Sequence, residues 1–409
     1  MVKSSLSTIS HSSALDHVSY DIRGPLLRKA QNIEQQGHQV IKLNIGNPAP
    51  FGFDAPSEML QDLIKNLPQA QGYCDAKGLF SARKAVVHYT QRLKIPHISI
   101  DDVYMGNGVS ELIMMSMQAL LNSGDEVLIP SPDYPLWSAV VALCGGVPVY
   151  YQCDESEGWT PDLDDIKAKI TTRTKALLII NPNNPTGAVY TEECVRTIAQ
   201  LGEKHGIVLL SDEIYDQIIY NKAPHIPLAR HTQNTLCITY GGLSKNYRAA
   251  GFRSGWMILS GRVDIAKEFI LGLDTLASMR LCANVLAQLT VQTALGGYQS
   301  IRDLVADGGR LKKQRDLVYQ RLLKIPGISC VEPQGALYAF PKIDALMYPD
   351  LDDHRFAMEL LVNHHVLIVP GRSFHLTTPN HFRMTLLPHQ DIMDQALDRI
   401  ESCLNQFRV

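Results

Sequence analysis

ALLIINPNNPTG, Ala176 to Gly187, runs an unbroken apolar stretch straight into a turn of Asn, Pro, Thr and Gly. A short apolar run bounded by such breakers suits a strand buried on both faces. Comparable runs occur at Glu126 to Ile129, Val147 to Tyr151, Ile207 to Leu210 and Thr235 to Thr239, with helical stretches such as Thr191 to His205 between them. Alternation of this kind predicts an α/β chain with a mostly parallel, doubly wound sheet.

Working outward, SELIMMSMQALLN (Ser110 to Asn122) is apolar almost all round and predicts a buried helix after the turn Gly106-Asn107-Gly108. Gly255 to Leu259 reads as a further strand, and Val263 to Leu273 and Ala283 to Leu295 as helices. From about Ile301 the character changes to a long charged helix (Arg302 to Leu323), strands at Ile328 to Val331, Ala336 to Phe340 and Leu367 to Val369, and a helix at His354 to His364. The expected division is an N-terminal arm and packing segment (1–45), a large domain (46–300) and a smaller C-terminal α+β domain (301–409). No internal repeat or low-complexity linker is visible.

A chain of 409 residues is long enough for two or three domains. Its 38 Lys plus Arg against 41 Asp plus Glu leave a net charge of -3 without long single-sign blocks. No nucleic-acid or membrane-surface partner is expected from that balance. The eight cysteines are scattered without a CxxC pair or zinc spacing, so no metal site is expected, and they read as buried thiols of a reducing compartment. The serine-rich start MVKSSLSTISHSS lacks the apolar core of a secretory signal, and no apolar run approaches a spanning length. The start reads as a mobile arm, and a cytoplasmic location is expected.

In an open α/β sheet, ligands gather beyond the carboxyl ends of the strands. There the chain places NPNNPTG, SDEIYD (Ser211 to Asp216), PSPDYP (Pro130 to Pro135) and YGGLSKNYRAAGFRSG (Tyr240 to Gly255). Each delivers a polar group to one crevice: Asn184, Asp212 with Tyr215, Tyr134, and Lys245. A lysine among Gly241, Gly242, Ser244, Ala249, Ala250 and Gly251 can approach a planar ring and lose hydration, which lowers its pKa and makes it a nucleophile. Rival chemistries lack their residues. Glu111 stands where a dinucleotide fingerprint needs its third glycine, and no phosphate loop, GxSxG or HExxH occurs.

Taken together, LNIGNP (Leu43 to Pro48), YCDAKGLFSAR (Tyr73 to Arg83), GNGVSE (Gly106 to Glu111), SPDYP, NPNNPTG, SDEIY, LSKNYRAAGFRSGW (Leu243 to Trp256) and FRMTLL (Phe382 to Leu387) resemble the class I, fold type I aminotransferases. The resemblance runs from about Leu43 to Leu387, with the motifs in family order. It implies pyridoxal 5′-phosphate as cofactor, bound by the large domain. Lys245 would hold the cofactor aldehyde as a Schiff base and act as general base, and Asp212 would pair with the pyridine nitrogen. Tyr215 and Asn184 would bond the phenolate oxygen, and Tyr134 would stack on the ring. Gly108, Val109, Ser110 and Arg253 would bind the phosphate, Arg253 being buried beside Phe252 and Trp256, and Tyr73 would reach the partner's phosphate in a homodimer with shared sites. Arg383, the Gly46 backbone and Asn184 would hold the substrate carboxylate, and Arg280, presented from the partner subunit, would read its side chain. Gly242 stands where the family often has serine, with Ser244, Arg280 or water to compensate; Arg248 has no assigned role.

The strip Ser278 to Gln288 resembles the alanine/glutamate branch. The implied reaction is L-alanine plus 2-oxoglutarate to pyruvate plus L-glutamate with ping-pong kinetics. Alternatives are a broad-specificity or aspartate/aromatic aminotransferase, a cysteine-type β-lyase on the same scaffold, a non-catalytic sensing domain, or a nicotinamide oxidoreductase.

Overall fold

The computed structural model describes residues 9–16, 18, 20, 24–220 and 224–409. Residues 1–8 of the expected mobile arm lie outside them; of the rest, Ser13–Leu15 form one 3-10 turn. Strand β1 (Ile41–Lys42) precedes a large sheet of β2 (Val103–Gly106), β3 (Glu126–Ser131), β4 (Val147–Asp154), β5 (Thr160–Pro161), β6 (Thr174–Ile180), β7 (Val208–Asp212), β8 (Leu236–Gly242) and β9 (Gly255–Gly261). Their spatial order is β2-β9-β8-β7-β6-β3-β4-β5. Strands β4, β3, β6, β7 and β8 run parallel, whereas β9, β2 and β5 each join antiparallel.

The opening stretch shows why this sheet is covered on both faces. Side chains alternate along a strand. Leu177 and Ile179 of β6 enter one core with Val195, Ile198 and Ala199 of the helix Glu192–His205. Ala176, Leu178 and Ile180 enter another with Leu112, Ile113 and Met117 of the helix Val109–Leu120. The helix Glu192–His205 starts where Thr191 Oγ1 accepts from the Cys194 N–H at 3.2 Å and stops at Gly206, φ +64°. Strand order reverses at β3, which has β4 on one side and β6 on the other, so a crevice opens beyond the carboxyl ends there.

The C-terminal elements are β10 (Ile328–Ser329), β11 (Tyr338–Ala339), β12 (Lys342–Ile343), β13 (Val366–Leu367), β14 (Val369–Pro370) and β15 (Phe382–Thr385). Strand β15 lies between β11 and β14, antiparallel to both. The N-terminal segment joins them: β1 pairs parallel with β13, and Thr385 N–H donates to Leu43 O at 2.9 Å. Leu26, Ala30 and Ile33 of the helix Pro25–Gln35 share a core with Val318, Phe356, Leu360 and Leu397.

Two long helices expected from periodicity are interrupted. Arg302 to Leu323 divides into Ile301–Val305 and Arg310–Leu322 around Gly308, φ +81°. Ala283 to Leu295 divides into Val285–Gln288 and Val291–Gly296. Strand β2 had no counterpart in the sequence reading, because VYMG is too short for its alternation to register.

Candidate active site

A cavity of about 490 Å³ lies at the crevice. Asp212, the last residue of β7, reaches it, as do Asn184 after β6, Tyr134 after β3 and Lys245 after β8. Asp212 is 4% exposed. Its Oδ2 accepts from Trp137 Nε1 at 3.1 Å and its Oδ1 from the Ile214 N–H at 3.3 Å. It makes no ion pair among the described residues. Burial pushes its pKa up to about 6, against the opposing Trp137 hydrogen bond.

Lys245 Nζ donates to Gly46 O at 2.6 Å. Burial draws the amine's pKa below the ordinary lysine value; Tyr338 and Asp212 oppose this, while the Arg383 and Arg253 charges reinforce it. The Tyr215 and Tyr338 hydroxyls lie 2.9 Å apart. Burial raises both phenols, but at Tyr338 the nearby Lys245 and Arg383 charges outweigh it and leave that phenol below its usual value.

Arg383, on β15, is 2% exposed and packs between the rings of Tyr338 (4.3 Å) and Phe374 (4.7 Å). Its guanidinium donates to Asn184 Oδ1 at 2.8 Å and to Asn44 O, while its Nε has no partner among the described residues. Gly46 lies against Tyr338 so closely that a Cβ would collide with its hydroxyl.

The opposite end of the cavity is built from the start of the helix Val109–Leu120. Its N-cap is Gly108 (φ +81°), with no side-chain cap, and Val109 and Ser110 line the cavity. A Cβ on Gly108 would collide with the Arg253 guanidinium. Arg253 donates to Ala250 O at 2.9 Å. It is exposed rather than buried: with φ +52° the chain turns there, so the guanidinium sits at the rim while Trp256, and in part Phe252, go inward.

Two expected residues stand apart from the cavity. Tyr73 is 81% exposed. Arg280 is turned away, ion-paired with Glu111 and donating to Ala76 O at 3.1 Å and Met105 O at 2.6 Å. The Glu111 carboxylate already answers its charge, and Arg280 does not line its own chain's cavity.

The small residues around Lys245 also divide. Ser244, Ala250 and Gly251 line the cavity. A Cβ at Gly241 would lie 2.6 Å from Trp256 Nε1, and one at Gly242 3.0 Å from Ser254 O. These two glycines therefore serve the close β8–β9 pairing rather than the ring space inferred for them, and a side chain at Gly242 would be crowded. Ser244 remains the cavity hydroxyl on this segment.

Tyr338, Trp137 and Tyr20 were not anticipated. Tyr338 sits inside an apolar run, and nothing in ALYAF marks its hydroxyl as a cavity group. Trp137, three residues beyond Tyr134, reads as core and is buried, yet its N–H serves Asp212. Tyr20 lines the cavity from the N-terminal segment, its hydroxyl 3.2 Å from that of Tyr134.

The cavity thus brings together a buried carboxylate with no ion pair among the described residues, a buried amine, and an uncapped helix start beside an arginine. A profile of the family "Aminotransferase class I and II" matches residues 38–400. The chain belongs to that family. This aminotransferase is 54% identical to the glutamate-pyruvate aminotransferase AlaA of Escherichia coli (strain K12), over 98% of this chain and 99% of the relative. It is 52% identical to an alanine aminotransferase of Mycobacterium bovis, over 97% and 93%. Among solved structures, the alanine aminotransferase from Pyrococcus furiosus superposes with a TM-score of 0.92 at 38% identity, covering 97% of this chain and all of that one.

The aminotransferase depends on pyridoxal 5′-phosphate, and the site fits that group. Asp212 makes no ion pair among the described residues, and a protonated ring nitrogen would provide one. The uncapped start of the helix Val109–Leu120, beside Arg253, suits a phosphate. Among the described residues no cluster of His, Cys, Asp and Glu could hold a metal ion.

Proposed function

We propose that this aminotransferase transfers the amino group of L-alanine to 2-oxoglutarate, giving pyruvate and L-glutamate. One arrangement carries the reading: Asp212, Lys245 and Arg383 face a single cavity, and relatives at 52–54% identity bear glutamate-pyruvate and alanine aminotransferase names. Those names do not favour an aspartate/aromatic enzyme or a β-lyase.

When bound, the cofactor supplies an aldehyde and an electron sink. Asp212 would hold its ring nitrogen, Tyr215 and Asn184 its phenolate oxygen, and Tyr134 its ring face. Gly108, Val109, Ser110 and Arg253 would hold its phosphate. Lys245 would be the covalent anchor and the base: burial lowers the amine's pKa, which favours its taking the substrate α-proton and returning it. Arg383, with Asn184 and the Gly46 N–H, would grip the substrate carboxylate; stacking between Tyr338 and Phe374 holds the planar fork in place. Two substrates using one site in turn give ping-pong kinetics.

The finer organisation belongs to the same reading. Residues 46–300 would form the cofactor domain and 301–409 the smaller one, with the chain before 46 packing on the latter, as the β1–β13 pairing supports. Two copies would share sites, Tyr73 reaching the partner's phosphate, which agrees with the exposure of Tyr73, Phe80, Met279 and Leu281. Among the described residues no helix is long and apolar enough to cross a membrane; a cytoplasmic location is part of the proposal.

A panel of amino donors and 2-oxo acids tests the reaction, followed through the absorbance of the bound cofactor. Alanine and glutamate should convert it from the aldehyde to the amine form, with pyruvate and 2-oxoglutarate reversing the change. Release of pyruvate and ammonia without any 2-oxo acid would overturn the assignment.

A further inference from the structure

Arg248 is the charged residue of LSKNYRAAGFRSGW that the proposed chemistry leaves unused. It is 7% exposed, and its backbone is left-handed, φ +53°, a conformation disfavoured for a residue with a Cβ. It makes no ion pair among the described residues. Its three nitrogens instead reach three separate segments. Nη1 donates to Asn246 O at 2.9 Å, directly beside Lys245. Nε donates to Asp54 O at 3.0 Å, and Nη2 to Ser300 Oγ at 2.8 Å. The Asp54 charge acts on it only from beyond ion-pair distance, so this largely buried cation depends on such acceptors, and losing one leaves a costly unmatched group.

The segment 46–54 is a strap along the cavity, which Gly46 and Asn47 line. It is fastened at three places. Lys245 Nζ holds Gly46 O at 2.6 Å. Arg310 holds Phe51 O at 2.6 Å and Gly52 O at 3.2 Å. Arg248 holds Asp54 O. Of these, the Lys245 contact cannot persist once that amine is engaged in catalysis. Arg248 ties the strap to the same turn by a contact that chemistry at Nζ leaves untouched.

We propose that Arg248 is a positioning residue that keeps the strap, the Lys245 turn and Ser300 in register while Lys245 is engaged, so that the Gly46 backbone stays where the substrate carboxylate binds. The inference rests on Lys245 being the reactive amine. A lysine could not replace Arg248, because one ammonium cannot span three acceptors in the plane of a guanidinium.

The test compares the holoenzyme of wild type, Arg248→Met, Arg248→Lys and Ser300→Ala. Hydrogen exchange of amides 46–54 is measured with and without alanine, together with KM and kcat for alanine. Loss of one charge-assisted bond corresponds to about tenfold. Arg248→Met should speed exchange in the strap by about that factor, leave exchange in β6 to β8 unchanged, and raise KM by about tenfold with kcat altered less than about threefold. Arg248→Lys should fall between Met and wild type, and Ser300→Ala should show the smallest change. If Arg248→Met does not fold, Arg248→Lys and Ser300→Ala carry the same comparison. Unchanged strap exchange, a uniform rise across the chain, or a fall in kcat at constant KM overturns the proposal. Borohydride attachment of the cofactor in the wild type checks the underlying reading separately: a label away from Lys245 sinks that reading, whereas the exchange pattern reports on the strap itself.

Discussion

Trp137 Nε1 donates to Asp212 Oδ2 at 3.1 Å, the one side-chain hydrogen bond to that carboxylate among the described residues. An indole N–H is a neutral donor, so it orients the carboxylate without balancing its charge. The Lys245 charge offsets it only weakly, and a protonated ring nitrogen on the ligand would complete the balance.

A pH dependence follows for the cofactor-free enzyme. Asp212 rises from 3.8 in the ordinary case to about 6 in the fold, burial being the main cause. Between those values the folded chain keeps a proton that the unfolded chain has released. The contribution to stability is therefore complete below about pH 4 and is lost as pH rises through about 6, by on the order of 3 kcal/mol. Thermal unfolding from pH 4 to 8 should show this decline in the cofactor-free wild type and not in Asp212→Asn. Identical pH slopes for the two proteins would count against the assignment. Bound cofactor with a protonated ring nitrogen should flatten the wild-type curve.

Arg383→Lys keeps the charge and removes the fork held between Tyr338 and Phe374. Losing a bidentate, charge-assisted contact costs about 2–3 kcal/mol, or roughly 30- to 150-fold in KM for amino and 2-oxo acids. Cofactor affinity, measured by spectral titration, should change less than about threefold, because Arg383 lies at the substrate end. Equal losses in both would remove Arg383 from the carboxylate site.

Tyr338→Phe removes the hydroxyl that Tyr215 contacts at 2.9 Å. Tyr338 is the largest influence opposing the depression of the Lys245 pKa by burial. Without it the free amine of the cofactor-free enzyme should lose its proton more readily, so the pH profile of pyridoxal 5′-phosphate capture, followed by absorbance, should move to lower pH. A shift to higher pH would contradict the electrostatic account of this pair.

Subunit mixing tests the reach of Tyr73, which is outside its own chain's cavity and 81% exposed. When Lys245→Ala and Tyr73→Phe subunits are combined, a shared-site dimer regains one site with both native groups. Activity per hybrid should approach half that of wild type. Indifference to mixing places Tyr73 outside the partner's site.

The α/β class and the strand-end groups were legible because both are local. A double-faced strand must be apolar along its length, and Ala176 to Ile180 shows this without reference to any neighbour. Asn184, Asp212 and Lys245 follow directly from such strands. The break at Gly308 was a different matter, since two glycines within an otherwise periodic stretch interrupt the pattern only mildly on paper.

What no local pattern carried was which side chains meet across the fold. Tyr338 and Trp137 look like core residues in their own segments, and their polar atoms acquire meaning only beside Tyr215 and Asp212, at sequence separations of 123 and 75. Glu111 holds Arg280 outside its own chain's cavity, a contact no motif showed; Gly241 and Gly242 suggested open space, yet Trp256 and Ser254 occupied it. The order of residues settled the class of sheet and the chemical groups placed at its edge, because backbone periodicity and turn formation are short-range. Partner choice, exposure and pKa were settled by packing, because burial and hydrogen bonding depend on whatever distant segment the fold brings within a few ångströms.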